Sequence, residues 1–213
     1  MGLAILADFD GTVTETDASF AILDRFAVGD WKMVEEEAYA GRYTILQALR
    51  VQAGMVRGEP SEIDGYVLDT VQLRKGFAEF AGRCRDSGVH LEICSDGFGH
   101  TIPLILAREG LEWIPWTSNR TWYERGGMGI SFDNIREGCP INANCKCSHY
   151  ERLLSIYGKV LYVGDGGTDS CVAEKVSTLF ARDWLASHCE RKGIRFSPWS
   201  DWYGIWDDIS RDL

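Results

Sequence analysis

The sequence predicts an α/β protein whose parallel sheet is interrupted after its first strand by a run of helices. Three observations carry that prediction. Short apolar runs recur at residues 3–7 ("LAILA"), around Ile93 ("GVHLEICSDG") and around Val163 ("KVLYVGDGGTDS"), and each ends in acidic or hydroxyl residues with a glycine. Amphipathic helical stretches separate these runs, the alternation expected of βαβ units. Helices on both faces of such a sheet make its strands apolar throughout. Between about residues 18 and 70 the rhythm changes to helical periodicity with no strand pattern. The reading is a Rossmann-like core in residues 1–15 and 75–213, with a small helical cap in residues 16–74.

Each element follows from its local pattern. The opening run is too short for a membrane span or a signal-peptide core. The insertion reads as helices over "ASFAILDRFA", "WKMVEEEAYA" and "YTILQALRVQAGMV", with "MVEEEAYAGR" as a charged, solvated face. Helices are expected over 76–86 ahead of the second strand, over 150–157 ahead of the third, and over 168–176 after it. A fourth short strand is expected at Thr178–Ala181. "WTSNRTWYERGGMGISFDN" alternates around a Gly-Gly turn and predicts a hairpin. The spaced tryptophans of "FSPWSDWYGIWDD" predict a C-terminal helix docked by its aromatic side.

Composition narrows the function classes. A net charge of −10 argues against binding the phosphate backbone of nucleic acid, which requires clustered Lys and Arg. An anionic small substrate needs only a local cation and stays possible. No apolar stretch approaches 18 residues, so no membrane association is expected. Seven cysteines, an odd number with no secretory leader, predict reduced thiols in a cytoplasmic setting. Nothing in the sequence specifies an oligomeric state.

The chemistry is expected at the strand ends. Asp8 and Asp10 flank Phe9, and residues i and i+2 of a strand share a face, so the two carboxylates repel unless solvated or bridged by a cation. Ser95 ends the second strand, and Asp165 and Asp169 follow the third. In an open parallel sheet the ligand crevice lies at the carboxyl ends of the strands, so these groups converge.

"DFDGT" at 8–12, "CSDG" around Ser95, a lysine in "CKC" and "GDGGTD" at 164–169 resemble, in the same order, the four motifs of the haloacid dehalogenase superfamily of phosphotransferases. The likeness implies a phosphomonoesterase acting on a small phosphorylated metabolite. In it Asp8 is the nucleophile that forms an aspartyl-phosphate, Asp10 the general acid/base and Lys146 the cation beside the nucleophile. It also implies Mg²⁺ held by Asp8, the Asp10 carbonyl and Asp165, with Asp169 close by as ligand or neighbour. Thr12 and Ser95 would donate to the phosphoryl group, with Asp96 and Gly97 lining its site. Gly11, Gly97, Gly166 and Gly167 would allow close backbone approach. For the cation, Lys159 is too near the strand, and His149 is the substitute if the register differs by three.

A cap between the first and second motifs is similar to the phosphoserine phosphatase-like branch. Within it, "DFDGTVTETD", "VLDTVQLRKGF" and "LFARDWLASHC" are most like the methionine-salvage phosphatases acting on a methylthiopentenyl phosphate. A phosphoserine phosphatase or another small-ester hydrolase is the alternative. The serine-specific pattern puts a glutamate nine residues beyond the nucleophile and an arginine in the cap, where this chain has Asp17 and Gln52, with Arg50 nearby. A non-enzymatic phospho-acceptor switch and a binding module are the rivals from other classes. Asp10 and the cap speak against the first, and the full acid set against the second.

Several residues carry two readings. Asp17 faces the pocket or caps the helix that follows, with Thr14 and Thr16 as competing caps. Cys139, Cys145 and Cys147 could bind Zn²⁺ with His149, but the spacing is unusual and reduced thiols are the reading preferred. Cys84, Cys94, Cys171 and Cys189 are expected in the core. His100 touches substrate or starts a helix in solvent.

Overall fold

In the computed structural model, residues 2–124, 127–139 and 143–212 are described. Strand β1 (Gly2–Ala7) occupies the middle of the sheet, with β2 (His90–Phe98) on one side and β5 (Gly158–Gly164) on the other. The sheet has seven strands in the order β4-β3-β2-β1-β5-β6-β7, completed by β3 (Trp116–Glu124), β4 (Gly127–Ser131), β6 (Thr178–Ala181) and β7 (Ser197–Pro198). All pairings are parallel except β3 with β4. The expected hairpin is therefore present. It adds its first strand to β2 and widens the central sheet.

Alternation along β1 explains why the strands carry no polar face. Ile5 and Ala7 enter one apolar layer, and Ala4 and Leu6 enter the other. The first layer is closed by α5 (Phe77–Asp86), α6 (Thr101–Arg108) and α10 (Trp202–Ile209), through Phe80, Ile105 and Trp202 among others. The second is closed by α7 (Lys146–Tyr157), α8 (Ser170–Ala173) and α9 (Asp183–Lys192), through Leu153, Val172 and Leu185. The C-terminal helix docks as its tryptophans predict: Trp202 is fully buried, with ring centres 5.0 Å from Phe77 and 4.6 Å from Phe80.

Between β1 and α5 lie α1 (Ala18–Phe26), α2 (Trp31–Tyr39), α3 (Ile45–Met55) and α4 (Pro60–Thr70), with no strand among the described residues of that interval. Local capping sets the starts of the first three. Asp17, Asp30 and Thr44 accept from backbone amides three residues on, and Thr44 with Gln47 completes a capping box. Ile22, Leu23, Phe26, Ala53, Ile63 and Val67 of these helices share the apolar layer of Ile5 and Phe9. The helix expected over 168–176 is shorter, because Gly167–Asp169 forms a tight turn and only Ser170–Ala173 continues as α helix.

Candidate active site

The sheet order makes the site. Strand order reverses about β1, between β2 and β5, and that reversal opens a crevice at the carboxyl ends. Ala7 pairs with Ile93 on one side and Val163 on the other, so Asp8 and Asp165, just past their strands, come level with Ser95, which does not end β2 as expected but lies within it, where the pairing with β3 is irregular. A cavity of about 890 Å³ lies there, the size of a small-metabolite pocket, lined by Asp8, Asp10, Ser95, Asp96, Gly97 and Asp165 on the sheet side. Helices α1–α3 supply the opposite wall, with Phe20, Leu23, Leu49, Asp17, Glu35 and Gln52.

Lys146 is the cation that reaches the nucleophile candidate. Its Nζ lies 2.9 Å from Asp8 Oδ1, 2.5 Å from Asp169 Oδ1 and 3.8 Å from Asp96 Oδ2, and it donates to Thr168 Oγ1 at 3.1 Å. Burial pulls Lys146 toward neutrality, and the Asp169 and Asp8 carboxylates outweigh it and hold the ammonium charged. His149 sits elsewhere, with Nε2 3.1 Å from Asn144 Oδ1 and Nδ1 3.9 Å from Glu92 Oε1. Lys159 begins β5, at the end away from Asp165.

Each acid has its own surroundings. Burial, then the neighbouring Asp169, pushes Asp8 above the usual carboxylate range, against the pull of Lys146. Burial also raises Asp10, against hydrogen bonds from Ala18 N to Oδ1 (2.7 Å) and from Ser95 Oγ to Oδ2 (3.3 Å). Burial and Asp169 push Asp165 up to about 7, although Thr12 Oγ1 donates to its Oδ1 at 2.6 Å. Burial carries Asp96 up to about 6, and its Oδ1 accepts from Asn144 N at 2.6 Å. Asp169 takes four donors: Lys146 and Tyr162 OH on Oδ1, and the amides of Asp165 and Gly166 on Oδ2. That set fills its lone pairs.

Asp8, Asp165 and Asp169 offer carboxylate oxygens that all lie within 4.8 Å of one another. An all-oxygen donor set beside a phosphate-sized space is the chemistry of a hard divalent cation such as Mg²⁺. Close packing of the backbone around these acids demands glycine at two places. Gly11 has φ +74°, and a Cβ there would lie 2.3 Å from Asp165 Oδ2. A Cβ on Gly97 would lie 2.3 Å from Asp10 Oδ2 and 2.7 Å from Ser19 Oγ. Gly166 and Gly167 line the cavity, and a Cβ at either would enter open space.

Other expectations change on contact with the structure. Thr12 is fully buried and gives its hydroxyl to Asp165, because the left-handed Gly11 turns it away from the cavity. Asp17 has both roles weighed for it: it caps α1 by accepting from Phe20 N at 2.8 Å, and it lines the cavity. Gln52 is buried in the cavity wall, whereas Arg50 is exposed and stacks over Phe132 at 5.2 Å. His100 is not solvent-exposed, and it is not among the residues that line the cavity. It is largely buried, with Nδ1 2.9 Å from Thr121 Oγ1 and Nε2 3.2 Å from Tyr123 OH, which donates to Asp64. The run "MVEEEAYAGR" is not wholly solvated: Glu35 lines the cavity and accepts from Gln52 Nε2 at 2.8 Å.

The cysteines divide differently from the expectation. Cys84, Cys94 and Cys189 are buried, but Cys171 is half-buried. Its sulfur stands 3.2 Å from that of Cys147 and 3.9 Å from that of Cys139. Among the described residues, Asp8, Asp165 and Asp169 are the one group of three or more metal-type ligands whose donor atoms lie within 4.8 Å of one another.

Asn144, Tyr162, Thr168 and Glu35 are site residues the sequence reading did not single out. Each acts through a partner at least seven residues away, and only Thr168 sits in a motif, "GDGGTD", where its neighbours Asp165 and Asp169 drew the assignment.

Similarity to known proteins agrees with this geometry. A family model described as haloacid dehalogenase-like hydrolase matches residues 5–174. A protein of Geobacillus kaustophilus named 2-hydroxy-3-keto-5-methylthiopentenyl-1-phosphate phosphatase is 28% identical, over 98% of this chain and 96% of its own. One of the same name from Geobacillus thermodenitrificans is 27% identical over the same shares. Among solved structures, a phospho-aspartyl intermediate analogue of phosphoserine phosphatase superposes with a TM-score of 0.73 at 20% identity, covering 100% of this chain and 99% of that one. A substrate-bound phosphoserine phosphatase gives 0.74 at 19%, with the same coverage, and both likenesses bear on the fold. No helix among the described residues is long and apolar enough to cross a membrane. The chain belongs to the haloacid dehalogenase-like hydrolases, and it is a phosphatase of that family.

Proposed function

We propose that the chain is a Mg²⁺-dependent phosphomonoesterase that works through an aspartyl-phosphate on Asp8, with α1–α4 as a cap over a core formed by the rest. The substrate proposed is the methylthiopentenyl phosphate of methionine salvage. The observation that carries the reading is the cavity itself, with Asp8 and Asp10 on the sheet side, Lys146 buried behind Asp8, and a helical wall without cations opposite. Among the described residues, α1–α4 contribute no Lys or Arg to that wall. On that wall a substrate carboxylate would meet Asp17 and Glu35, which disfavours phosphoserine, and the cavity's two arginines, Arg74 and Arg182, lie outside α1–α4. Phe20, Leu23 and Leu49 offer apolar surface for a thioether tail, and Glu35 and Gln52 offer polar groups for a hydroxyl or carbonyl. The names of the two Geobacillus relatives support the same substrate.

The chemistry then runs through this chain's own groups. An Asp8 oxygen attacks phosphorus as the ester P–O bond breaks. Asp10, raised by burial and therefore able to carry a proton, gives it to the departing oxygen. Asp10 then takes a proton from the water that attacks the acyl phosphate, and phosphate leaves. Lys146 and the Ser95 hydroxyl offset charge on the phosphoryl oxygens. Asp8 and Asp165, with the Asp10 carbonyl, would hold the Mg²⁺, which when bound would supply further positive charge at the phosphoryl group. We place Asp169 outside the metal's own ligands, because its four donors already occupy it and it holds Lys146 in register.

The test is phosphate release from the methylthiopentenyl enol phosphate, phosphoserine and an aryl phosphate, with and without Mg²⁺, with Asp8→Asn as blank. The expected result is Mg²⁺-dependent turnover, at least ~100-fold better in kcat/KM for the enol phosphate than for phosphoserine, a gap of about 2.7 kcal/mol. Preference for phosphoserine would overturn the substrate, and turnover by Asp8→Asn would overturn the nucleophile.

A further inference from the structure

Two sulfurs in contact lie directly behind the catalytic cluster, where no role in phosphoryl transfer uses them. Cys147 is the second residue of α7, next to Lys146, and Cys171 is the second residue of α8, two beyond Asp169. Their sulfurs are 3.2 Å apart, and Cys139 stands 3.9 Å from Cys171 on its other side. Cys147 is buried, whereas Cys171 is half-buried and open to small reagents. No disulfide joins cysteines in the structure.

We propose that Cys147 and Cys171 form a reversible disulfide under a peroxide, and that this bond switches the phosphatase down. One thiol of the pair, reacting as its thiolate, reduces the O–O bond of the peroxide, becomes a sulfenic acid and releases water or an alcohol. The other thiol attacks that sulfur, the S–S bond forms as the S–O bond breaks, and water leaves with the remaining proton. A dithiol reductant reverses the step by exchange. Cys139 is positioned to exchange into the bond from the Cys171 side.

The consequence for catalysis is mechanical. A disulfide needs its sulfurs about 2.05 Å apart, so closing the pair from 3.2 Å brings the sulfurs about 1 Å nearer and ties the starts of α7 and α8 to each other. Lys146 and Asp169 ride on those same starts and meet at 2.5 Å, with Asp8 at 2.9 Å from the same ammonium. A displacement of about 1 Å in groups of this kind costs on the order of 100-fold in rate.

The experiment treats the reduced protein with hydrogen peroxide, blocks remaining thiols by alkylation and maps linked peptides by mass spectrometry. Turnover of an aryl phosphate with Mg²⁺ is followed in parallel. The expected result is a Cys147–Cys171 link, a fall in turnover of at least about tenfold, and recovery with dithiothreitol. Cys147→Ser and Cys171→Ser keep their reduced-state turnover and resist peroxide. The proposal is overturned if peroxide yields no Cys147–Cys171 link in the unsubstituted chain. It is overturned equally if the link leaves turnover unchanged, or if both serine variants lose turnover to peroxide as the parent does. Peptide mapping needs no substrate, so failure here is separable from failure of the phosphatase reading.

Discussion

Replacing Lys146 by methionine tests whether the buried cation holds the acid cluster together as well as serving catalysis. Nζ contacts at 2.9 Å to Asp8 and 2.5 Å to Asp169 correspond to about 6 kcal/mol of attraction each at an effective dielectric of about 20. Desolvating three charged groups returns several kcal/mol per ion, so the gross sum greatly exceeds the net contribution of the cluster. What the substitution measures is the penalty of leaving Asp8, Asp96 and Asp169 facing one another without a cation, about 3–5 kcal/mol for breaking a buried pair from one side. Against a total stability of about 5–15 kcal/mol this is a large loss. The deficit shrinks as pH falls, because the unneutralised acids then bind protons in the folded state more readily than in the unfolded one. Urea unfolding without divalent cations at pH 7.5 and pH 5.5 reads both effects, and phosphate release reads catalysis. The double variant Lys146→Met with Asp169→Asn should regain at least half of the lost stability and none of the turnover. A single variant within about 1 kcal/mol of the parent at both pH values, with turnover within tenfold, would refute the reasoning.

Two further outcomes follow from local geometry. Gly97→Ala puts a methyl group 2.3 Å from Asp10 Oδ2, so the acid must move; kcat should fall on the order of 100-fold with the unfolding midpoint only modestly lowered, and unchanged kcat would show that the contact is not made. Burial holds the His100 imidazole down to about 4, with Asp64 pulling the other way, while the unfolded chain titrates near 6.5. Between those values the unfolded chain binds the proton and the folded chain does not, so stability falls as pH drops through that window, by about 3 kcal/mol in full. His100→Gln removes that dependence, so the stability gap between parent and variant should change steadily from pH 7 to pH 4.5. A constant gap would contradict a buried neutral imidazole.

The sequence made the strand ends legible because buried strands announce themselves by apolar runs and their ends by polar residues. Asp8, Asp10, Ser95 and Asp165 were readable for that reason, and the sheet order brings them to one crevice. Glu35 was not readable. Only Trp31 and Val34 of α2 are buried, so its run of three glutamates has the pattern of a solvated face, and only α3 lying alongside turns one of them inward. Thr12 and His100 misled for a related reason, since hydroxyl and imidazole groups near a motif satisfy protein partners as readily as ligands. Cys147 and Cys171 are 24 residues apart, and no local spacing marks them as neighbours.

The hydrogen bond from Ala18 N to Asp10 Oδ1 joins the first amide of α1 to the proposed general acid at 2.7 Å. An amide donor stabilises the ionised carboxylate, so its presence lowers the proton affinity of Asp10 and its loss raises it. If α1 swings outward to admit an ester, Asp10 is left holding its proton more tightly; when α1 returns, the acid becomes readier to release it. The position of the α1 start and the proton affinity of Asp10 are thus tied through a single hydrogen bond, so a change at one would be registered at the other.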